Sequence, residues 1–182
     1  RLGRMDKGLL DRSGRPLIEH VLARVSSAVD HVLISANRNL DAYRRYGPVV
    51  EDADADYPGP LAGIERGLER CETEWLWIVP CDAPRVDAAL LRRLRQACTD
   101  NAAIAAVPVE HGHWQPTFAL LRCSTHAALT DNLAQGRRAV HEWLRQLPAR
   151  EVPCDDRPEW FVNLNTPEEM AMYAAECKRK HV

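Results

Sequence analysis

The chain has 182 residues, a hydrophobic share of 46%, a charged share of 27% and a formal net charge of -2. That is enough chain for one full core and too little for two comfortable ones, and scattered basic residues at near-neutral balance exclude the electrostatic footprint of a nucleic-acid binder. The longest apolar runs, 75–79 and 102–109, fall far short of the ~20 residues that a bilayer span requires, so a soluble domain with no membrane partner is expected.

The opening run RLGRMDKGLL places Arg1, Gly3, Asp6 and Lys7 in a glycine-bearing loop. A parallel sheet ordinarily feeds such a loop from a strand, so a first strand and a Gly-rich turn are expected to be missing ahead of Arg1. Residues 16–27 carry Leu17, Ile18, Val21, Leu22 and Val25 on a 3.6-residue stripe, and 31–36 is a short apolar run: helix, then buried strand. A short helix over 40–46 and a strand over 49–52 follow. Then come a helix over 60–71 with Pro60 in its first turn and a buried strand over 75–80. In that strand Trp75 and Trp77 alternate with Leu76 and Ile78, which predicts two core-facing sides. Asp87 reads as the N-cap of a helix over 87–98. Strands over 102–109 and 116–121 flank a glycine-containing turn, so antiparallel pairing enters there. Helices over 124–134 and 138–147, strands over 151–154 and 161–164, and a last helix from Pro167 complete the order.

This alternation predicts an α/β class chain, a Rossmann-like three-layer α/β/α fold in one domain spanning 1–182. Its sheet should be mostly parallel, covered on both faces, with an antiparallel insertion. Ligands on such sheets bind at the carboxyl ends of strands, and Asn37, Asp52, Asp82, Asn163 and Asn165 all fall at such ends. The six cysteines are widely spaced with no C-x-x-C pair, which favours a reducing compartment.

Among these residues, Lys7 is a compact positive charge placed to reach phosphates, though a lone lysine is also an ordinary solvated residue. Asp82, alone after an apolar strand, suits Mg2+ shared with substrate phosphates; a turn or N-cap aspartate is the plainer account. Asp52 and the stiff turn Tyr57-Pro58-Gly59-Pro60 offer fixed acceptors and a close backbone approach of the kind base recognition uses; a tight strand-to-helix connection is the plainer account. Ser35 lies in the 31–36 run and Asn37 just after it. Asn163 and Asn165 flank Leu164, so on extended backbone they share a face, while Asn165 to Glu169 is also a good helix start. Two histidines, His111 and His113, lack a third partner for zinc and read as a hairpin tip.

The segments ISANR (34–38), EDADADYPGPLAG (51–63), PCDAP (80–84) and NLNTPEE (163–169) follow the opening run in a specific order and spacing. Together they resemble the molybdenum cofactor guanylyltransferases, of the MobA-type nucleotidyltransferase family, almost end to end. The resemblance implies transfer of GMP from GTP to the phosphate of molybdopterin or Mo-molybdopterin, with Mg2+ as cofactor and pyrophosphate released, in the cytoplasm. It implies catalytic roles for Lys7 and Asp82, with the metal on Asp82. Nucleotide contacts fall to Lys7, Ser35, Asn37, Asp52, Pro58, Gly59, Leu61 and Asp82, and pterin contacts to Arg1, Gly3, Asn163 and Asn165. Where the family carries a nucleotide-contacting asparagine, this chain has Ser35, two positions before Asn37. Molybdoenzymes or their chaperones are the implied downstream partners. A cytidylyl- or sugar-phosphate nucleotidyltransferase, and a non-catalytic nucleotide or pterin carrier, stay open as alternatives.

Overall fold

The computed structural model describes residues 6–12, 15–52, 59–99 and 102–179. Arg1, Gly3 and Pro58 therefore lie outside the described residues. A 3-10 turn at Lys7–Leu9 leads into a small antiparallel pair, β1 (Asp11–Arg12) and β2 (Arg15–Pro16), and then α1 (Leu17–Val25). Next, β3 (Ile34–Ser35) and β4 (Val49–Val50) pair in parallel across the short α2 (Leu40–Tyr43). Helix α3 (Pro60–Glu69) starts with proline at N1, where the absent N–H has no intrahelical partner to lose.

The larger sheet holds β5 (Trp75–Trp77), β6 (Ala105–Glu110), β7 (His113–Trp114), β8 (Leu120–Arg122) and β9 (Ala149–Pro153). Strand β8 lies antiparallel between β5 and β6, and β9 runs parallel to β6 over Ala105 to Val109. Thus β5, β6 and β9 share one direction and only the β7–β8 stretch opposes them, which is the expected antiparallel insertion. Its hairpin tip is His111-Gly112, both at positive φ, the turn geometry that matches strand twist.

Side-chain alternation sorts the two faces. Trp75, Trp77, Ala106, Leu120 and Val152 pack with α1 and with α4 (Ala88–Ala97), whereas Leu76, Ile78, Ala105, Val107 and Leu121 pack with α3, α5 (His126–Ala134) and α6 (Val140–Leu144). Three layers result, and no helix among the described residues is long and apolar enough to cross a membrane. Helix α7 (Pro167–Arg179) docks outside them, burying Met170 and Tyr173 against Leu17 of α1 and Leu164.

Two expected strands take other forms. The stretch 116–121 begins as a 3-10 turn over Pro116–Phe118, and β8 starts only at Leu120, because proline has no N–H to give the ladder. The stretch 161–164 is not a strand: a 3-10 turn at Pro158–Phe161 is followed by irregular chain, joined to the body by Leu164 N donating to Asp82 O at 2.8 Å.

Asp87 does cap α4, accepting from Ala89 N at 2.9 Å, and it also receives Arg157 at 3.2 Å and Arg24 at 3.4 Å. Partial burial alone would raise its pKa. The Ala89 N–H, the Trp160 side chain and the two guanidiniums outweigh that and hold it below the usual carboxylate range. A depressed folded pKa stabilises fully above the unfolded value of ~3.9 and less as pH falls through the folded one. Asp87→Ala should cost about 1 kcal/mol at neutral pH. In urea unfolding, the gap between variant and wild type should narrow once pH drops below about 4; a gap that stays constant into acid would refute the charged cap.

Candidate functional site

The turn at Lys7–Leu9 projects Lys7 across the end of the sheet. Its Nζ donates to Asp82 Oδ2 at 3.3 Å and to Asn165 Oδ1 at 2.5 Å, side chains 75 and 158 residues away in sequence. Each partner arrives by a different route. Asp82 follows β5, one turn beyond its carboxyl end, and Asn165 precedes α7. The Leu164–Asp82 backbone bond fixes these two segments to each other. Asn165 also opens α7: its N–H and that of Thr166 both donate to Glu169, whose own N–H donates to Thr166 Oγ1, a reciprocal capping box. The helix-start reading of that segment therefore holds, and Asn165 accepts from Lys7 as well. Asn163 lies one extended step back with its Oδ1 buried and unpartnered among the described residues.

The Lys7 side chain is 37% exposed and that of Asp82 16%, so this is a pair at a mouth, not a sealed one. Such a pair adds little stability, ~0–1 kcal/mol, and is cheap to open when a stronger anion arrives. The neighbouring thiol of Cys81 is pushed up to about 12, by burial first and then by the carboxylates of Asp82 and Asp6. It is neutral at physiological pH and offers no nucleophile.

A second cluster forms at the ends of β3 and β4. Asn37 clasps Asp52 twice: its Nδ2 donates to Asp52 Oδ2 at 2.7 Å, and its Oδ1 accepts Asp52 N at 2.9 Å. The other carboxylate oxygen, Asp52 Oδ1, is buried and unpartnered among the described residues. Ser35, in β3, is exposed beside it and lies against α3 at Gly63, where a Cβ would stand 2.4 Å from Ser35 Oγ and 3.6 Å from Asp52 Oδ1. Only glycine permits this approach.

Gly63→Ala sets two effects against each other. Alanine gains about 1 kcal/mol of helix propensity, while Ser35 must leave its rotamer at a similar cost of ~1 kcal/mol. The fold should survive and the nucleotide KM should rise about fivefold, the equivalent of that second term. An unchanged KM with a higher melting temperature would contradict a role for this contact.

Of the other expected nucleotide residues, Gly59 is the exposed N-cap of α3. Leu61 is 1% exposed and belongs to the core with Ile64 and Leu68; what it can offer a ligand is its backbone N–H in the first turn of α3. Sequence reading placed Asp6 in the loop without a role and did not single out Asn39, Tyr43 or Gly63. The available signals were an acid next to Lys7 and a glycine three residues after Pro60, each explained only by a distant contact.

A hard cation fits here. Lys7 already places its positive charge between two hard oxygens, Asp82 Oδ2 and Asn165 Oδ1. No three His, Cys, Asp or Glu side chains gather at one point among the described residues. A cation on Asp82 would thus complete its shell with water and phosphate, the habit of Mg2+.

The chain has relatives among known proteins. The profile of the MobA-like NTP transferase domain matches residues 1–152. The molybdenum cofactor guanylyltransferase of Vibrio parahaemolyticus is 41% identical over 173 residues, covering 95% of this chain and 88% of that one. That of Ralstonia nicotianae is 44% identical over 184 residues, covering 96% and 90%. Among solved structures, molybdopterin-guanine dinucleotide biosynthesis protein A from Archaeoglobus fulgidus superposes with a TM-score of 0.79 at 21% identity, covering 97% of this chain and 92% of that one. A cytidylyltransferase from Thermus thermophilus reaches 0.69 at 18%, covering 94% of each, so the fold alone does not select the base.

Proposed function

Because the chain belongs to the molybdenum cofactor guanylyltransferases, within the MobA-like NTP transferase family, we propose that it transfers GMP from GTP to the phosphate of molybdopterin or Mo-molybdopterin. An oxygen of the acceptor phosphate forms a bond to the α-phosphorus, the bridge to the β-phosphorus breaks, and pyrophosphate leaves with the electron pair. A phosphate monoester with a second pKa near ~6 is mostly dianionic at neutral pH, so no general base is needed. Catalysis then rests on placing the groups and neutralising charge.

The observation that carries this reading is the convergence of Lys7, Asp82 and Asn165 within hydrogen-bonding reach. Lys7 meets the triphosphate and stabilises the charge that builds on the leaving pyrophosphate. Asp82 would hold Mg2+, which supplies further neutralisation of phosphate oxygens. Asp52, with one oxygen clasped by Asn37 and the other without a partner among the described residues, accepts from the N1–H and N2–H donors of guanine; cytosine has no such pair. Ser35, Gly59 and the backbone of Leu61 are assigned to the nucleotide with it. Asn163 and Asn165 are assigned to the pterin, as are Arg1 and Gly3 by resemblance. We read 1–182 as a single nucleotidyltransferase domain, cytoplasmic as its substrates require.

Nucleotide competition tests the base assignment. Pyrophosphate release from GTP plus molybdopterin should be inhibited by GDP and left nearly unchanged by equal CTP. Stronger competition by CTP, or release from CTP in place of GTP, would transfer the chain to the cytidylyl alternative.

A further inference from the structure

We propose that Asp6 is the positioning residue for Lys7, holding the phosphate-binding loop against α2 and the two residues before it through Tyr43, Asn39 and Arg38; this rests on the reading of Lys7 as the phosphate-binding cation. The Asp6 carboxylate is 14% exposed. Its Oδ1 accepts the Tyr43 hydroxyl at 2.5 Å, its Oδ2 accepts Asn39 Nδ2 at 3.1 Å, and Arg38 Nε lies 3.7 Å from the same oxygen. Its backbone carbonyl accepts Leu9 N at 3.2 Å and so starts the turn that carries Lys7. Lysine is a long, freely rotating side chain, and where its ammonium sits depends on how firmly its own Cα is held. Asp6 is the covalent neighbour that supplies this hold, and it touches no substrate itself.

Two features show that the contact is built rather than incidental. Gly8 leaves room for the Tyr43 hydroxyl: a Cβ there would stand 2.4 Å from that oxygen and 3.2 Å from Cys81 Sγ. Asn39 adopts φ 53°, a left-handed conformation uncommon outside glycine, and from it aims its amide at Asp6. The run Asn37-Arg38-Asn39 thereby holds Asp52 with its first residue and Asp6 with the next two. The acid of the base pocket and the loop of the phosphate pocket share one clamp, so both are in register for the same nucleotide.

A double-mutant cycle tests this against a merely structural role. Turnover and the Kd of a fluorescent GTP analogue are measured for Asp6→Asn, Lys7→Met and the double variant, with thermal midpoints alongside. Asp6→Asn should lower kcat/KM by about 10- to 100-fold, the scale of a misplaced catalytic group. In the Lys7→Met background the same change should alter affinity and turnover by less than about twofold, since residues acting through one another are not additive. Asn39→Gly keeps the left-handed backbone while deleting the amide donor; it should give a smaller loss with the same non-additivity, and it carries the cycle if Asp6→Asn fails to fold. Equal losses in both backgrounds, or wild-type behaviour of Asp6→Asn, would overturn the proposal while leaving Lys7 in place. Wild-type behaviour of Lys7→Met alone would overturn the underlying reading of Lys7, and the positioning role with it.

Discussion

Asp82→Asn is expected to lower GMP transfer by at least ~10²-fold, the effect of deleting one preorganised charge from a transition state, with the fold intact. Asparagine keeps the size of the side chain and an oxygen able to accept from Lys7. The structural tie at this position is the main-chain carbonyl, which accepts Leu164 N whatever the side chain. Loss of the half-exposed ion pair itself costs ~0–1 kcal/mol of stability. The change therefore separates chemistry from folding: turnover should collapse while circular dichroism and melting stay near wild type. Residual activity should need a higher Mg2+ concentration for half-saturation. Unaltered turnover would remove Asp82 from the mechanism.

Lys7→Met should be comparably damaging, about 10²- to 10³-fold in kcat/KM. Methionine preserves the apolar stem and deletes only the charge. Lys7→Arg should rescue part of the loss and no more, because a planar fork replaces a point charge that now fits between Asp82 and Asn165. Steady-state kinetics with saturating molybdopterin check both. Full activity of Lys7→Met would leave the site with no cation assigned to the triphosphate.

The sheet was legible where period two is strict. The Trp75, Leu76, Trp77, Ile78 alternation does divide between the two cores, and Asp82 follows it as the motif required. Helix α3 was legible from Pro60, and α4 from Asp87. The failures are local as well. Residues 116–121 and 161–164 look apolar enough for strands, but Pro116 gives the first no ladder N–H and starts a 3-10 turn, while in the second Val162 N and Leu164 N donate to Glu159 O and Asp82 O instead of to a neighbouring strand. Leu61 reads as part of a binding motif, yet its side chain is core. Ser35 and Asn37 were inseparable by sequence; the structure pairs only Asn37 with Asp52. The hold of Tyr43 and Asn39 on Asp6 spans more than thirty residues of chain, and no local pattern encodes such a contact.

The alternatives differ from nucleotidyl transfer in the fate of one atom. A carrier that binds nucleotide or pterin leaves GTP whole, and a hydrolase would send the α-phosphorus to free GMP. GTP labelled at the α-phosphorus, incubated with Mg2+, molybdopterin and this protein, should pass its label into a pterin guanine dinucleotide as unlabelled pyrophosphate appears. Label that stays in GTP, or ends in free GMP, would contradict the account.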